Sequence, residues 1–140
     1  MGANELLQEI LDWAEENLTT EEIKNILLLA TDFEKMTAWH VAARWGKPEL
    51  LQEIWDLAEE KLTAEEIKNK LLLATDDMGD TVLHMAAECG YVEVLQKLRE
   101  WAKERLTTEE ANNKLLFAVN HFGWTIWYWA ADFRRSDFLI

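Results

Sequence analysis

The chain has 140 residues, about half of them apolar, and a formal net charge of −13 from 27 Asp and Glu against 14 Lys and Arg. Such a length suits one domain with a continuous core, and the apolar share excludes disorder by composition. The acidity argues against a nucleic-acid partner, because phosphate contacts need clustered Lys and Arg, and favours solubility and faster encounter with basic partners.

Cys89 is the single cysteine, so no disulfide framework or thiolate metal cluster is expected. It is compatible with a reducing compartment and fixes none. Glu5 and Glu9 sit among the first apolar residues without a basic stretch, which does not read as a secretory signal. No apolar run approaches the roughly 18 residues of a membrane span. The expectation is a soluble, unanchored chain with no membrane partner.

In chain order, residues 5–16 place Leu6, Leu7, Ile10, Trp13 and Ala14 on one helical face with Glu and Asp opposite. The stripe returns as Leu50, Leu51, Ile54, Leu57, Ala58 and as Val94, Leu95, Leu98, Trp101, Ala102. A Thr-x-x-Glu pattern follows each stripe, at Thr19 and Glu22, Thr63 and Glu66, Thr107 and Glu110. There the hydroxyl can take a free backbone donor while the carboxylate returns to the cap's own amide. A short further helix is therefore predicted through Leu28, Leu72 and Leu116.

After it come Thr31-Asp32, Thr75-Asp76 and Val119-Asn120, then a turn ending in Gly79 or Gly123. Glycine readily supplies the positive φ such a turn can require. Lys35 holds that place in the first turn, at about 1 kcal/mol if its backbone is left-handed. Gly46 and Gly90 mark helix stops, and Pro48 follows where its missing N–H is harmless. Arg134 replaces the helix-stop glycine later, so a frayed C-terminus is expected.

These elements form an internal repeat. Thr37, Thr81 and Thr125 are 44 residues apart, as are Leu18, Leu62 and Leu106. The central stretch Gly79-Asp80-Thr81-Val82-Leu83-His84-Met85-Ala86-Ala87 recurs upstream as Lys35–Ala43 and downstream as Gly123–Ala131. This G-x-T-x-L-H-x-A-A core resembles the ankyrin signature, whose T-P-L-H-x-A segment opens the first helix of each unit.

The resemblance implies an all-α solenoid of ankyrin type with short β-turn fingers. The 44-residue spacing exceeds the common unit of roughly 33 and leaves room for an extra short helix per repeat. A single domain over 1–140 is expected: a leading half-unit 5–31, units 32–75 and 76–119, and a trailing half-unit 120–140. Neither end looks like a polar cap.

Comparison of the chain with itself separates framework from variation. Residues 6–34 and 50–78 match at 22 of 29 positions, whereas 33–47 and 77–91 match at 5 of 15. Variation confined to the turn and first helix is informative, because stacking sets equivalent positions side by side. In ankyrin proteins the turn tips and the exposed side of the first helix form the concave binding face. Carried over, the resemblance puts Phe33, Glu34, Met36, Arg44 and Trp45 there. It adds Asp77, Met78, Asp80, Glu88, Cys89 and Tyr91, then His121, Phe122, Trp124, Asp132 and Phe133, with Met85 and Trp129 beside them.

The list is rich in Trp, Phe, Tyr, Met and Arg, the types enriched at interface hot spots, whereas a solvated turn would carry Asn, Asp, Ser and Gly. Trp39, Leu83 and Trp127 are expected in the core, at a motif position pointing between helix layers. Trp124 stands where the other units have Met36 and Asp80, and a position that accepts a charge is expected to be exposed.

No catalytic site or cofactor is expected. His40 and His84 occupy the signature His, which in this family ties neighbouring turns together, and Tyr128 breaks the series as a metal ligand. Cys89 and His84, five apart, do not share a helical face. The glutamate pairs recur by symmetry, as helix-start carboxylates do. The expected function is a non-catalytic protein-binding module with an aromatic-rich face, resembling engineered ankyrin-repeat binders in which a uniform scaffold carries an installed interface. The alternative is a self-associating repeat protein that buries the same patch, or its uncapped ends, against another copy.

Overall fold

The computed structural model describes residues 3–131. Helices follow in the order α1 (Ala3–Asn17), α2 (Thr20–Ile23), α3 (Ala38–Arg44), α4 (Pro48–Lys61), α5 (Ala64–Glu66), α6 (Val82–Cys89), α7 (Val92–Arg105), α8 (Thr108–Ala111) and α9 (Ile126–Ala131). Among the described residues there is no strand. The first helices α3, α6 and α9 lie side by side, and so do the second helices α1, α4 and α7. The core fills the space between these two rows.

The three capping boxes form as the Thr-x-x-Glu pattern requires. Thr63 Oγ1 accepts from the Glu66 amide at 3.2 Å, and Glu66 Oε1 accepts from the Thr63 amide at 2.9 Å. Thr19 with Glu22 and Thr107 with Glu110 repeat the arrangement. Each cap opens a single α-turn that then widens into π-helix, at Lys24–Leu28, Ile67–Leu72 and Asn112–Leu116. The Leu73 amide, for example, reaches the Lys68 carbonyl five residues back, at 2.9 Å. The wider turn lets Ile67, Leu71 and Leu72 all point inward, and all three are buried.

The capping glutamates have a second role. Glu66 Oε2 pairs with Lys24 at 2.8 Å, and Glu110 Oε2 pairs with Lys68, each lysine coming from the preceding unit. The Lys24 ammonium holds the Glu66 carboxyl below its usual range. One side chain therefore closes its own helix start and ties that helix to its neighbour.

Between the rows, Trp39, Trp55 and Trp101 meet with ring centroids 4.6 to 5.5 Å apart. Trp39 Nε1 donates to the Leu71 carbonyl at 3.1 Å, so burying this indole leaves no donor unpaired. Leu83 is buried at the same motif position, but Trp127 is not, being 57% exposed. That position points toward the following unit, and no described element lies beyond α9 to cover it.

Lys35 is left-handed at φ 66°, where Gly79 and Gly123 both have φ 79°. Lys35→Gly should therefore stabilise the chain by about 1 kcal/mol, less the extra freedom glycine gives the unfolded chain. An unchanged urea midpoint would show that the strain at Lys35 is no larger than that unfolded-chain cost.

Leu72 is buried and Phe33 is 92% exposed. Leu72→Ala should cost about 2–4 kcal/mol in urea titration, and Phe33→Ala no more than about 0.5 kcal/mol. Comparable losses for the two would place the turn tip in the core.

Candidate protein-binding face

Each turn finger is built by the same short set of bonds. The amides of Lys35, Gly79 and Gly123 donate to the carbonyls of Asp32, Asp76 and Asn120, three residues back, at 3.0–3.1 Å. Those same three residues send their own amides to the carbonyls of Met36, Asp80 and Trp124 at 3.0 Å. Their side chains fill the turn from inside. Asp76 Oδ1, for instance, accepts from the Met78 and Asp80 amides at 2.9 Å each, and Asn120 Oδ1 does so from Phe122 and Trp124.

With the inner polar groups consumed, the two central residues of each turn are forced outward. These are Phe33 and Glu34, Asp77 and Met78, His121 and Phe122, all exposed. Adjacent fingers are joined by backbone bonds, the Asp77 amide to the Glu34 carbonyl and the His121 amide to the Met78 carbonyl, both 2.9 Å. The exposed pairs therefore stand in one row.

The helix starts behind the fingers are capped by Thr and His together. His84 Nδ1 accepts from the Thr81 amide at 3.1 Å, which leaves the ring proton on Nε2 to donate to the Trp124 carbonyl at 3.1 Å in the next finger. His40 makes the same cap with Thr37. Burial holds the His40 imidazole below its ordinary pKa, so it stays neutral and able to accept.

The remaining face residues divide by burial. Trp45, just past α3, is exposed. Trp124 is half-buried, stacked between Phe122 at 5.0 Å and Tyr128 at 4.2 Å. Glu88 and Cys89 are half-buried near the end of α6. Arg44 reaches Asp76 Oδ2 at 3.4 Å, steadying the residue that fills the second finger. Tyr91 packs on Gly46, where a Cβ would lie 2.6 Å from its ring, so it serves packing more than contact. Asp132, Phe133 and the side chain of Trp129 lie outside the described residues.

Three expected face residues are buried instead: Met36 at 6% exposure, Asp80 at 7% and Met85 at 0%. Met85 is covered because α6 packs between α3 and α9, whereas Val41, its counterpart on the edge helix α3, is exposed. Asp80 overturns the rule that a charge marks an exposed position. Its carboxylate is buried but paired, Oδ1 accepting from Asn120 Nδ2 at 2.9 Å, so the site accepts a charge by supplying a donor from the next finger.

Burial nevertheless pushes the Asp80 carboxyl above its usual value, outweighing the Asn120 bond that pulls it down. A carboxyl whose folded pKa is raised favours folding fully below its unfolded pKa, and that contribution is lost as pH rises through the folded value. At neutral pH the ionised group is a cost. Asp80→Asn keeps an acceptor for Asn120 and removes the charge, so its thermal midpoint at pH 7 should rise. The gain should shrink as pH falls through the raised pKa, and melts at neutral and acid pH check both parts.

No group of three or more His, Cys, Asp or Glu is gathered as metal ligands among the described residues. Nor is any described helix long and apolar enough to cross a membrane.

The concentration of differences between units in the turn and first helix is the sequence signal for the exposed tips. That comparison misses Asp32, Asp76 and Asn120 as finger fillers, although an Asx residue at a 44-residue spacing is the available signal.

Comparison with known proteins agrees with this geometry. No curated protein matches the sequence significantly. Among solved structures, the crystal structure of the yeast ribosomal protein Rps3 in complex with its chaperone Yar1 contains a similar chain. It has a TM-score of 0.69 at 22% identity over 93% of this chain and 78% of that one. A family model described as ankyrin repeats, three copies, matches residues 2–107. With that match, the Thr-His caps and the joined fingers, the chain belongs to the ankyrin-repeat family.

Proposed function

We propose that this chain is a non-catalytic module that binds a partner protein along its row of finger tips, with the aromatic stack of the third finger as the anchor. The observation that carries the reading is that Phe33, Met78 and Phe122 stand exposed on turns braced by their own backbone and Asx side-chain bonds and by backbone bonds between adjacent fingers. Exposed apolar side chains on rigid turns bind at low ordering cost. Ankyrin repeats are generally protein-interaction modules, and the similar chain noted above comes from a complex of a ribosomal protein with its chaperone.

Glu34 and Asp77 alternate with the apolar tips, and the chain is acidic overall. Both favour a partner segment that presents basic residues around an apolar anchor. The near-identical frameworks beside varied turns support the pattern of a scaffold carrying an installed interface, as in engineered ankyrin-repeat binders.

The test compares proteins captured from extract by the wild type and by a variant with Phe33→Ala, Met78→Ala and Phe122→Ala, followed by calorimetry on the captured protein. Exposed tips should leave the thermal midpoint nearly unchanged while affinity falls by tenfold or more, about 1.4 kcal/mol. Equal affinity for both forms would remove the tips from the interface.

A further inference from the structure

The two ends of the described array are complementary halves of a junction that the molecule already makes inside itself. In α7, Val94, Leu98 and Trp101 occupy one face at helical spacing and are buried, Trp101 stacking on Trp55 at 4.6 Å and lying 5.5 Å from Trp39. In α4 the corresponding Ile54 and Leu57 are buried as well. Their counterparts 44 residues earlier than α4's stripe are Leu6, Ile10 and Trp13 of α1, and all three are exposed, Trp13 at 71%.

The opposite end carries the matching wall. An apolar groove of about 420 Å³ is lined by Leu83, Leu95, Ala102, Leu106, Leu115 and Ile126, among others. Shifted back by 44 residues these become Trp39, Leu51, Ala58, Leu62, Leu71 and Val82, every one buried in the interior junction. We propose that α1 of a second copy docks in this groove, so that copies stack head to tail and continue the solenoid in register.

Charge selects the same occupant. The groove walls contribute Arg99 and Lys103, whereas α1 bears Glu5, Glu9, Asp12, Glu15 and Glu16 with no basic residue. In the interior junction Trp101 lies on Trp55; one unit later the residue corresponding to Trp55 is Arg99. Trp13, which corresponds to Trp101, would then lie over the Arg99 guanidinium, a favourable cation–π pairing. The contact is heterologous, so each copy keeps one free stripe and one free groove and assembly stays open.

A competing occupant is the chain's own 132–140 segment, in which Phe138 and Leu139 correspond to Val94 and Leu95. The test is sedimentation equilibrium on the full chain from about 1 to 300 µM, the range in which a modest apolar interface associates. The wild type should show a weight-average mass that rises continuously with concentration. Trp13→Glu blocks the stripe, and Arg99→Glu with Lys103→Glu blocks the groove; all three positions are exposed, so both variants should fold. Each variant alone should be monomeric. Mixed in equal amounts they should form a dimer and nothing larger, because the mixture contains one working stripe and one working groove. A wild type that stays monomeric overturns the proposal, as do single variants that still associate or a mixture that gives no dimer. Failure here leaves the finger-tip reading intact, since none of the three residues lies on that row.

Discussion

The imidazole of His84 fixes the offset between its own unit and the next, and the other polar contacts of that junction depend on it. It accepts at Nδ1 from the start of its own helix and donates from Nε2 to the Trp124 carbonyl of the next finger. A neutral ring with one acceptor and one donor nitrogen can satisfy both ends only if the two units keep a fixed offset. The finger-to-finger backbone bonds and the Asp80–Asn120 contact then fall at the same offset. On the far side of the molecule the Lys24–Glu66 and Lys68–Glu110 pairs close the third helices together. Apolar stacking between the two rows of helices supplies cohesion without direction; these polar bonds supply the direction.

Rigidity of the fingers follows from that arrangement. Because Asp32, Asp76 and Asn120 consume the inner amides of each turn, the tip residues hold the turn through their backbone and not through their side chains. Their side chains are free to vary without loss of fold, as they do from Phe33-Glu34 to Asp77-Met78 to His121-Phe122. A surface that varies at no cost to the framework is a surface on which recognition can be written. The position just inside the tips behaves differently. Met36, Asp80 and Trp124 have unlike side chains, yet none is freely exposed, and each is accommodated by its own neighbours.

The same repeat logic acts at the ends. The one interior second helix among the described residues, α4, buries residues on both of its long faces, one toward α1 and one toward α7. Sequence similarity between α1 and α4 means that α1 carries a face suited to a preceding unit, and Leu6, Ile10 and Trp13 expose it. Trp127 exposes the converse face. Identical positions thus differ in burial only because of where they fall in the stack.

What the sequence determined by itself was whatever repeats or acts locally: the 44-residue period, the helical stripes, the three capping boxes, the signature Thr and His, and the turns as the variable part. Each of these depends on contacts within a few residues, so spacing alone reveals it. The tertiary structure alone decided which variable residues are exposed. Asp80 looked like a surface charge until Asn120, 40 residues away, supplied its partner, and Trp127 looked like core although no described element beyond α9 covers it. The π-helical third helices belong with these, because a local helix propensity cannot show that Ile67, Leu71 and Leu72 must all face inward at once. Burial and pairing are properties of the neighbouring unit, and no residue's own sequence context contains its neighbour.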